Sequence, residues 1–520
     1  MIVSIQKADY YRIFFLLIIG ISFCISGIAQ ESTAIEIIHA DKLLGTKKAG
    51  KTIRRLIGNV ELMHDSVHMY CDSAYHYLSE NYFTAYSNVR MVQGDTLFLY
   101  GDSLRFNGEN SEGEVRGNVK LLDNNMQLTT NFLDFNTETN KSHYFNGGTV
   151  VDSANTLFSN SGYYYSDVHE FHFNDSVVLV NPDYSIFTDT LKYNTNTEKT
   201  FFFGPTDIIS DSNYIYCENG WYDTHFDIAR FGKNTLMIRN EYIIEADSLY
   251  YNNNSGIGIA RKNVVIEDTI QNIWIKGHYA FLDQKKDYSY VTDSAVFIQF
   301  QDNDSLYLHA DTLFSTRDSL GKKLIKAFYG VKFFRYEMQG KCDSLVYSEG
   351  DSLIKLYERP IIWNEQNQIT AEYIQIHSTD GKADRIDIQN SAFIITLQDS
   401  TKYNQIFGKN MTGYISNNEL HKIDVYGNAQ TIYYPMDGEN YIGANMAEAS
   451  NMTIHLKDGA VRKIVWYNMP EGVMKPLNKV TQEELHLRGF QWLAKERPMN
   501  KYDIFISSPI SYPTKKQESR

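Results

Sequence analysis

A short phrase recurs along this chain at intervals of about 30 residues. Its clearest copies, at Leu99–Asn107, Ile186–Asn194 and Ile244–Asn252, contain an aliphatic, a small and an acidic residue, then a leucine and an aromatic residue. Fourteen copies can be aligned, and the steps from Asp72 to Asp247 are 30, 29, 29, 29, 29 and 29 residues. Such a period is typical of stacked units that bury their apolar faces only against their neighbours. We therefore expect an elongated stack whose function lies on a long surface or groove.

The spacing inside each copy predicts strands that bend. Counting the acidic or polar residue as position 0, apolar residues recur at −3 and +2, small residues at −1 and aromatic residues at +4. In a straight strand, positions −3 and −1 face away from positions +2 and +4. All four can share one interior only if the chain bulges near position 0. We therefore interpret position 0 as a structural corner that accepts backbone N–H bonds. Its clearest members are Asp72, Asp102, Asp189, Asp247, Asp311 and Asp343.

The second half of each copy carries a Gly-Asn or similar dipeptide before valine, as in Gly58-Asn59-Val60 and Gly117-Asn118-Val119. This dipeptide is a strong hairpin signal, so we expect about three short strands in each unit. After Pro470 the pattern stops, and Thr481–Glu484 forms a capping box that predicts a helix running toward Arg497. A cap for the stack and a docking helix for a partner are both open readings of that helix.

The N-terminus has the pattern of a signal peptide. Lys7 and Arg12 precede an apolar stretch that continues to Ile28, and the small residues Gly27 and Ala29 suit cleavage before Gln30. A retained membrane anchor is the alternative. The bulky residue before Cys24 argues against lipoprotein processing. We expect residues 1–29 to be a signal peptide and the chain to be exported.

Charge and residue types narrow the function further. Loss of residues 1–29 would change the net charge from −14 to −15, which disfavours nucleic acid as a partner. The chain has no Gly-rich phosphate loop, nucleophile elbow or paired-cysteine motif. His64 and His68 stand at i, i+4, but in a strand-type segment their side chains do not face a common point as they would on a helix. A calcium roll would need many more glycines than this repeat contains. We therefore expect no cofactor, no metal and no enzymatic activity.

Three cysteines remain after the predicted cleavage, and they occupy one repeat position. Cys71, Cys217 and Cys342 each stand at −1, where other copies carry glycine, alanine, serine or threonine. Because they belong to distant units, we expect free thiols that serve as small side chains.

The phrase Ile244–Asn252, alternating with Gly-Asn-Val segments behind a signal peptide, resembles the OstA-like/LptA family of periplasmic lipopolysaccharide-transport proteins. The resemblance covers nearly all of residues 35–465, and the chain resembles the long OstA-like proteins of Bacteroidetes-type bacteria. It implies a β-jellyroll groove that carries lipid A acyl chains, and edge-strand pairing with other lipopolysaccharide-transport proteins, for which residues 35–45 and 440–456 are our candidate joints. The implied location is the periplasm, and association with the outer membrane stays open. The candidate lipid-facing residues are Leu104, Phe106, Leu133, Phe135, Leu191, Tyr193, Leu249, Tyr251, Leu313, Leu345 and Tyr347.

The sequence thus predicts an all-β fold: an elongated repeat β-jellyroll or solenoid of about fourteen units with a short C-terminal helix. We divide it into a signal peptide (1–29), a first part of the repeats (30–300), a second part continuous with it (301–468) and a helical tail (469–520). The leading function is non-enzymatic lipopolysaccharide binding and transport. An exported structural or adhesion scaffold is the main alternative. A polysaccharide-acting enzyme is less favoured, because the acidic residues lie at corners rather than clustering on an exposed face.

Overall fold

The computed structural model describes residues 34–48, 51–301, 304–379, 382–416, 419–438, 440–457 and 460–505. The predicted signal peptide lies outside this range. The chain forms two compact units, Met1–Val177 and Val178–Arg520, and it passes from one to the other within a strand. Our division at residue 300 does not coincide with this boundary. No helix among the described residues has the length and apolar character needed to cross a membrane.

The described part of the first unit consists of antiparallel strands and one 3₁₀ turn, Leu78–Glu80. Its strands are β1 (Glu36–His39), β2 (Lys42–Lys48), β3 (Lys51–His64), β4 (Val67–Tyr77), β5 (Tyr82–Gln93), β6 (Leu97–Asn107), β7 (Glu112–Asp123), β8 (Met126–Asn136), β9 (Lys141–Tyr144), β10 (Gly148–Val151), β11 (Thr156–Ser159), β12 (Ser161–Tyr165) and β13 (Glu170–Val180), the last of which crosses the boundary. From β3 to β8 each strand pairs with the next.

The second unit continues with the same kind of antiparallel strand. Its strands are β14 (Tyr184–Asn194), β15 (Lys199–Ser210), β16 (Asn213–Asp223), β17 (Ile228–Arg239), β18 (Tyr242–Asn252), β19 (Ile257–Asp268), β20 (Ile273–Asp283), β21 (Tyr288–Gln299), β22 (Leu306–Arg317), β23 (Lys323–Phe334), β24 (Met338–Ser348), β25 (Leu353–Tyr357), β26 (Ile361–Asn364), β27 (Asn367–Thr370), β28 (Tyr373–Thr379), β29 (Lys382–Leu397), β30 (Tyr403–Ser416), β31 (Glu419–Tyr433), β32 (Met436–Asp437), β33 (Asn440–Tyr441), β34 (Ala444–Lys457), β35 (Ala460–Tyr467) and β36 (Glu471–Lys475). Three 3₁₀ turns follow, at Leu477–Lys479, Ala494–Glu496 and Asp503–Phe505.

Each regular repeat contains two long strands, and the prediction of an all-β repeat fold is confirmed. The strands β17 and β18 of one repeat have 12 and 11 residues. Our expectation of three short strands was wrong, because the dipeptides that we assigned to hairpin turns lie in the middle of strands. In several repeats the actual turn follows an asparagine at position +5. Its side-chain oxygen accepts backbone N–H bonds of the turn, as Asn194 does from Asn196 and Thr197.

The Gly-Asn and related dipeptides form β-bulges. In β17, Lys233 and Asn234 both have positive φ, and together they oppose the single residue Asp247 of β18. Gly58-Asn59 and Gly117-Asn118 have the same left-handed conformation. Glycine and asparagine adopt it at low cost, which explains their recurrence. The bulges bend the strands, so that residues on both sides of position 0 reach one interior.

The predicted C-terminal helix was wrong for the described part of the tail, which contains 3₁₀ turns and no α-helix. The capping box does form: Thr481 Oγ1 accepts a bond from the N–H of Glu484, and Glu484 accepts one from the N–H of Thr481. A helix does not follow because the backbone N–H of Leu487 donates to the side chain of Gln405 at 2.8 Å. The N–H of Leu487 is thus bonded to the sheet and cannot form the hydrogen bond that it would make within a helix.

Candidate functional site

A row of side-chain hydrogen bonds runs along the corners. The asparagine of a bulge donates to the acidic residue at position 0, as in Asn118 to Asp102 at 2.9 Å and Asn263 to Asp247 at 3.0 Å. Asn88 makes the same bond to Asp72 at 2.8 Å. The sequence predicted backbone N–H donors to these carboxylates and did not reveal the asparagine as a donor. The constant spacing of 16 residues between the two partners was the available signal.

The other three corner residues vary this pattern. Asp189 lies beside Gly204, which has positive φ in the neighbouring strand. Asp311 and Asp343 each accept a bond from the hydroxyl of the next residue, Thr312 at 2.9 Å and Ser344 at 2.8 Å.

The interior of the first unit is filled. Four of the candidate lipid-facing residues lie here, and Leu104, Phe106 and Leu133 are at most 1% exposed, with Phe135 at 6%. The ring of Phe106 lies 6.2 Å from that of Phe135, centroid to centroid. In this structure these side chains pack on one another and form an ordinary core.

Polar contacts join residues about 1.5 repeats apart at the strand ends of the first unit. Gln93 donates to Asn140 at 2.7 Å, and the hydroxyl of Tyr164 donates to Asp123 at 2.5 Å. Burial and this bond raise the pKa of Tyr164 well above its usual value, so Tyr164 stays protonated and continues to donate. These contacts lie at the strand ends, away from the corners, and they hold the interior closed there.

The second unit begins with a buried interior and then opens. Leu191 and Tyr193 are buried. Farther along, the residues nearest the corners stay buried, including Leu249 and Leu313 at 7% exposure. In contrast, the candidates Tyr251, Leu345 and Tyr347 are only half-buried.

The aliphatic column at position −3 shows the same change. Ile186 is 1% exposed, whereas Ile215, Ile244 and Ile275 are half-buried and pack against the edge of the core of the second unit. Leu282, at position +4 of its repeat, is 41% exposed. The half-buried residues at positions −3 and +4 thus flank buried residues at −1 and +2, and we call this apolar arrangement the groove of the second unit. The candidate lipid-facing residues expected from the sequence do not include the residues at −3.

Tyrosine hydroxyls at the strand ends form a polar border to this groove. Tyr222 donates to Asp227 at 3.0 Å, and Tyr251 donates to Gln284 at 2.9 Å. Burial, followed by the charge of Asp227, raises the pKa of Tyr222 above its usual value. The groove therefore combines apolar walls with hydrogen-bonding groups at its rim.

The three cysteines of the described chain are buried free thiols. Burial raises the pKa of Cys71 and of Cys217 to about 12, and it raises the pKa of Cys342 further. Among the described residues, no three His, Cys, Asp or Glu side chains are grouped so that they could hold a metal ion. His68 contacts Glu61 at 3.0 Å, and His64 contacts the carbonyl oxygen of Gly108 at 3.1 Å.

The two candidate joints differ in their pairing. In the described chain β1 and β2 pair only with β3, and they expose Ile38, Leu43 and Leu44. Residues 440–456 are not a free edge, because β34 pairs with β31 on one side and with β35 and β36 on the other. Our assignment of this second joint was wrong: the pattern ended too early for the last two strands to be recognised.

The structure defines a class of protein: a repetitive antiparallel β-protein whose bent strands enclose an apolar interior along a row of corners. Residues 32–189, less than a third of the chain, match the family model described as OstA-like protein. The family resemblance drawn from the sequence is thereby confirmed.

Among solved structures, the chain is similar to LptH from Pseudomonas aeruginosa, described as the LptA homologous periplasmic component of the conserved lipopolysaccharide transport device. The identity is 15%, over 22% of this chain and 82% of that chain, with a TM-score of 0.19. At these values the likeness does not establish a common overall structure. No curated protein matches the sequence.

Proposed function

We propose that this protein is a non-enzymatic periplasmic lipopolysaccharide-transport protein, and that the groove of its second unit holds lipid acyl chains. The observation that carries the proposal is the change along the −3 column from buried Ile186 to half-buried Ile215, Ile244 and Ile275. These three isoleucines belong to consecutive repeats and expose apolar surface, and such a surface favours an apolar ligand.

Charge favours holding the lipid by its acyl chains. The chain carries a net charge of −14, so an anionic headgroup would be repelled at long range. Burial of each acyl CH₂ contributes about 0.8 kcal/mol, which can offset this repulsion over a few carbons. The headgroup would then lie near the tyrosine border, where Tyr251 and Gln284 provide hydrogen-bonding groups.

We confine the lipid site to the second unit. The candidates Leu104, Phe106, Leu133 and Phe135 of the first unit already fill their own interior, so a lipid would have to displace them. Leu249, Leu313, Leu345, Tyr251 and Tyr347 are the candidates that line the proposed site. The edge formed by β1 and β2 is our candidate joint for another lipopolysaccharide-transport protein, since its backbone can accept one more strand.

Site-specific photo-crosslinking in cells tests the proposal. A photoreactive residue at Tyr251 or Tyr347 is expected to capture lipopolysaccharide. The matched control is Tyr250, whose side chain points to the opposite face of the same strand. Equal capture from Tyr250 and Tyr251 would contradict a groove site.

The organic extract of the gently purified protein separates the transport proposal from an exported structural scaffold. We expect its mass spectrum to contain stoichiometric lipid A species. An extract free of lipid, from protein that crosslinks no lipid in cells, would favour the scaffold.

A further inference from the structure

The C-terminal segment 477–505 lies along the face of the second unit's sheet that is opposite to the groove. Positions −3 and −4 are adjacent in a strand, so their side chains point to opposite faces. Ile369, at −3, packs with the groove-side core, whereas Gln368, at −4, contacts the C-terminal segment. The segment and the groove therefore use the two faces of the same strands.

Three glutamines occupy position −4 in consecutive repeats: Gln339, Gln368 and Gln405. The strand register places them in one row across the sheet, with Trp363 between the first two and Ile395 between the last two. All three glutamines are at most 3% exposed. A buried amide is costly unless its donor and its acceptor are both satisfied, so this row requires polar partners.

Two of these glutamines bind the backbone of the segment in the same way. Gln405 donates to the carbonyl of Leu485 and accepts from the N–H of Leu487, both at 2.8 Å. Gln368 donates to the carbonyl of Gln491 and accepts from the N–H of Leu493, both at 2.7 Å. Each amide thus holds two residues that are two positions apart, as a neighbouring β-strand would. These two glutamines therefore contact the backbone of the segment and not its side chains.

Gln339 extends the row toward the end of the described tail. Its side-chain oxygen accepts a bond from Nε of Arg497 at 2.7 Å, and Lys341 forms an ion pair with Glu496. Arg497 also donates to the carbonyl of Glu365 at 2.7 Å.

Apolar contacts fix both ends of the segment. Leu485 and Leu487 pack against the cluster that contains Ile432 and Tyr434. At the other end, Ile504 is 1% exposed and packs against Ile298. The segment is therefore anchored by side chains at its ends and by backbone hydrogen bonds in between.

We propose that the glutamine row is a binding site for an extended polypeptide, which the chain's own C-terminal segment occupies. The site recognises backbone amides through Gln368 and Gln405, and it retains the segment without a covalent link. This function is separate from lipid binding, because it uses the opposite face of the sheet.

A cleavable version of the full chain tests the site. A protease recognition sequence inserted between Asn478 and Lys479, which are both exposed, allows the segment to be cut after folding. We expect the fragment that begins at Lys479 to co-elute with the cut protein in gel filtration. In the double variant Gln368→Ala/Gln405→Ala, four backbone bonds are lost, and we expect the fragment to dissociate at least about tenfold faster.

Gln127→Ala is the matched control, since Gln127 stands at position −4 of a repeat in the first unit. It should leave retention unchanged. A labelled synthetic peptide of residues 479–505 should bind the cut protein after the fragment is removed, and should not bind the uncut chain. Loss of the fragment from the cut protein without any substitution would overturn the proposal. Equal retention by the double variant would do the same, provided that hydrogen exchange shows its strands to be intact.

Discussion

Truncation of two isoleucines at the same repeat position should have different costs. Ile186 and Ile244 both stand at −3 in the second unit, but Ile186 is buried and Ile244 is half-buried. For Ile186→Ala we expect a loss of about 2–5 kcal/mol, because the substitution removes buried methyl groups and leaves a cavity. For Ile244→Ala we expect about 1 kcal/mol, because only part of that side chain leaves water on folding and no closed cavity forms.

Bound lipid should change the stability loss caused by Ile244→Ala and leave the loss caused by Ile186→Ala unchanged. If acyl chains cover Ile244, its truncation in lipid-loaded protein removes a fully buried contact, and its cost should approach that of Ile186→Ala. Hydrogen exchange of β14 and β18 measures the two local stabilities with and without lipopolysaccharide. Local measurement is necessary because repeat proteins do not unfold as a single cooperative unit. Equal costs for the two variants in delipidated protein would refute the open groove.

Three further results are expected. Asn263→Ala should lower the local stability of β18 and β19, measured by hydrogen exchange, by about 1 kcal/mol more than Asn263→Gly, because both lose the bond to Asp247 but only alanine is strained at the φ of 50°; equal losses would show that the bond alone matters. Cys71 and Cys217 should resist a maleimide reagent at pH 8 in the folded protein, since burial raises their pKa to about 12, and a stoichiometric reaction would contradict this. The bond from Lys475 and those from Thr481 lower the pKa of Glu484 to about 2, so the stability that they add should be present above pH 4.5 and lost as the pH falls toward 2. Amide exchange at Thr481 measures that loss, and Glu484→Gln should abolish its pH dependence.

The bend of each strand at position 0 could be predicted from the sequence, but the separation of the two groove walls could not. The parity break at position 0 predicted a bend, and the structure shows a two-residue bulge opposite Asp247. The hydrogen bond between Asp247 and Asn263 was missed, because the only sequence evidence for such a bond between strands is the constant separation of 16 residues. The contrast between Tyr193 and Tyr251 could not be foreseen, since both are tyrosines at +4. Their exposure depends on how far the two walls separate, a property of many strands together.

The C-terminal helix failed as a prediction for a related reason. The capping box at Thr481 and Glu484 favours a helix, but the tertiary hydrogen bond from Leu487 to Gln405 opposes it. The capping box alone does not reveal that bond. The competing group was nevertheless present in the repeat: glutamine stands at −4 in three consecutive copies, whereas the other copies carry residues such as Phe98 or Ser185, with Gln127 as an isolated exception. A run of identical polar residues at one repeat position is a sign of a bound partner.

The C-terminal segment and the groove of the second unit lie on opposite faces of the same strands. A wall that lacks packing on its groove side loses contacts that a filled interior would supply. Between Trp274 and Ile432 the second unit recovers contacts on the opposite face, where Ile504, Leu485 and Leu487 of the segment cover it. In a repeat protein each unit contacts only its neighbours, but this segment joins Gln339 to Gln405 across several strands. The segment therefore links these repeats on the sheet face opposite to the proposed lipid site.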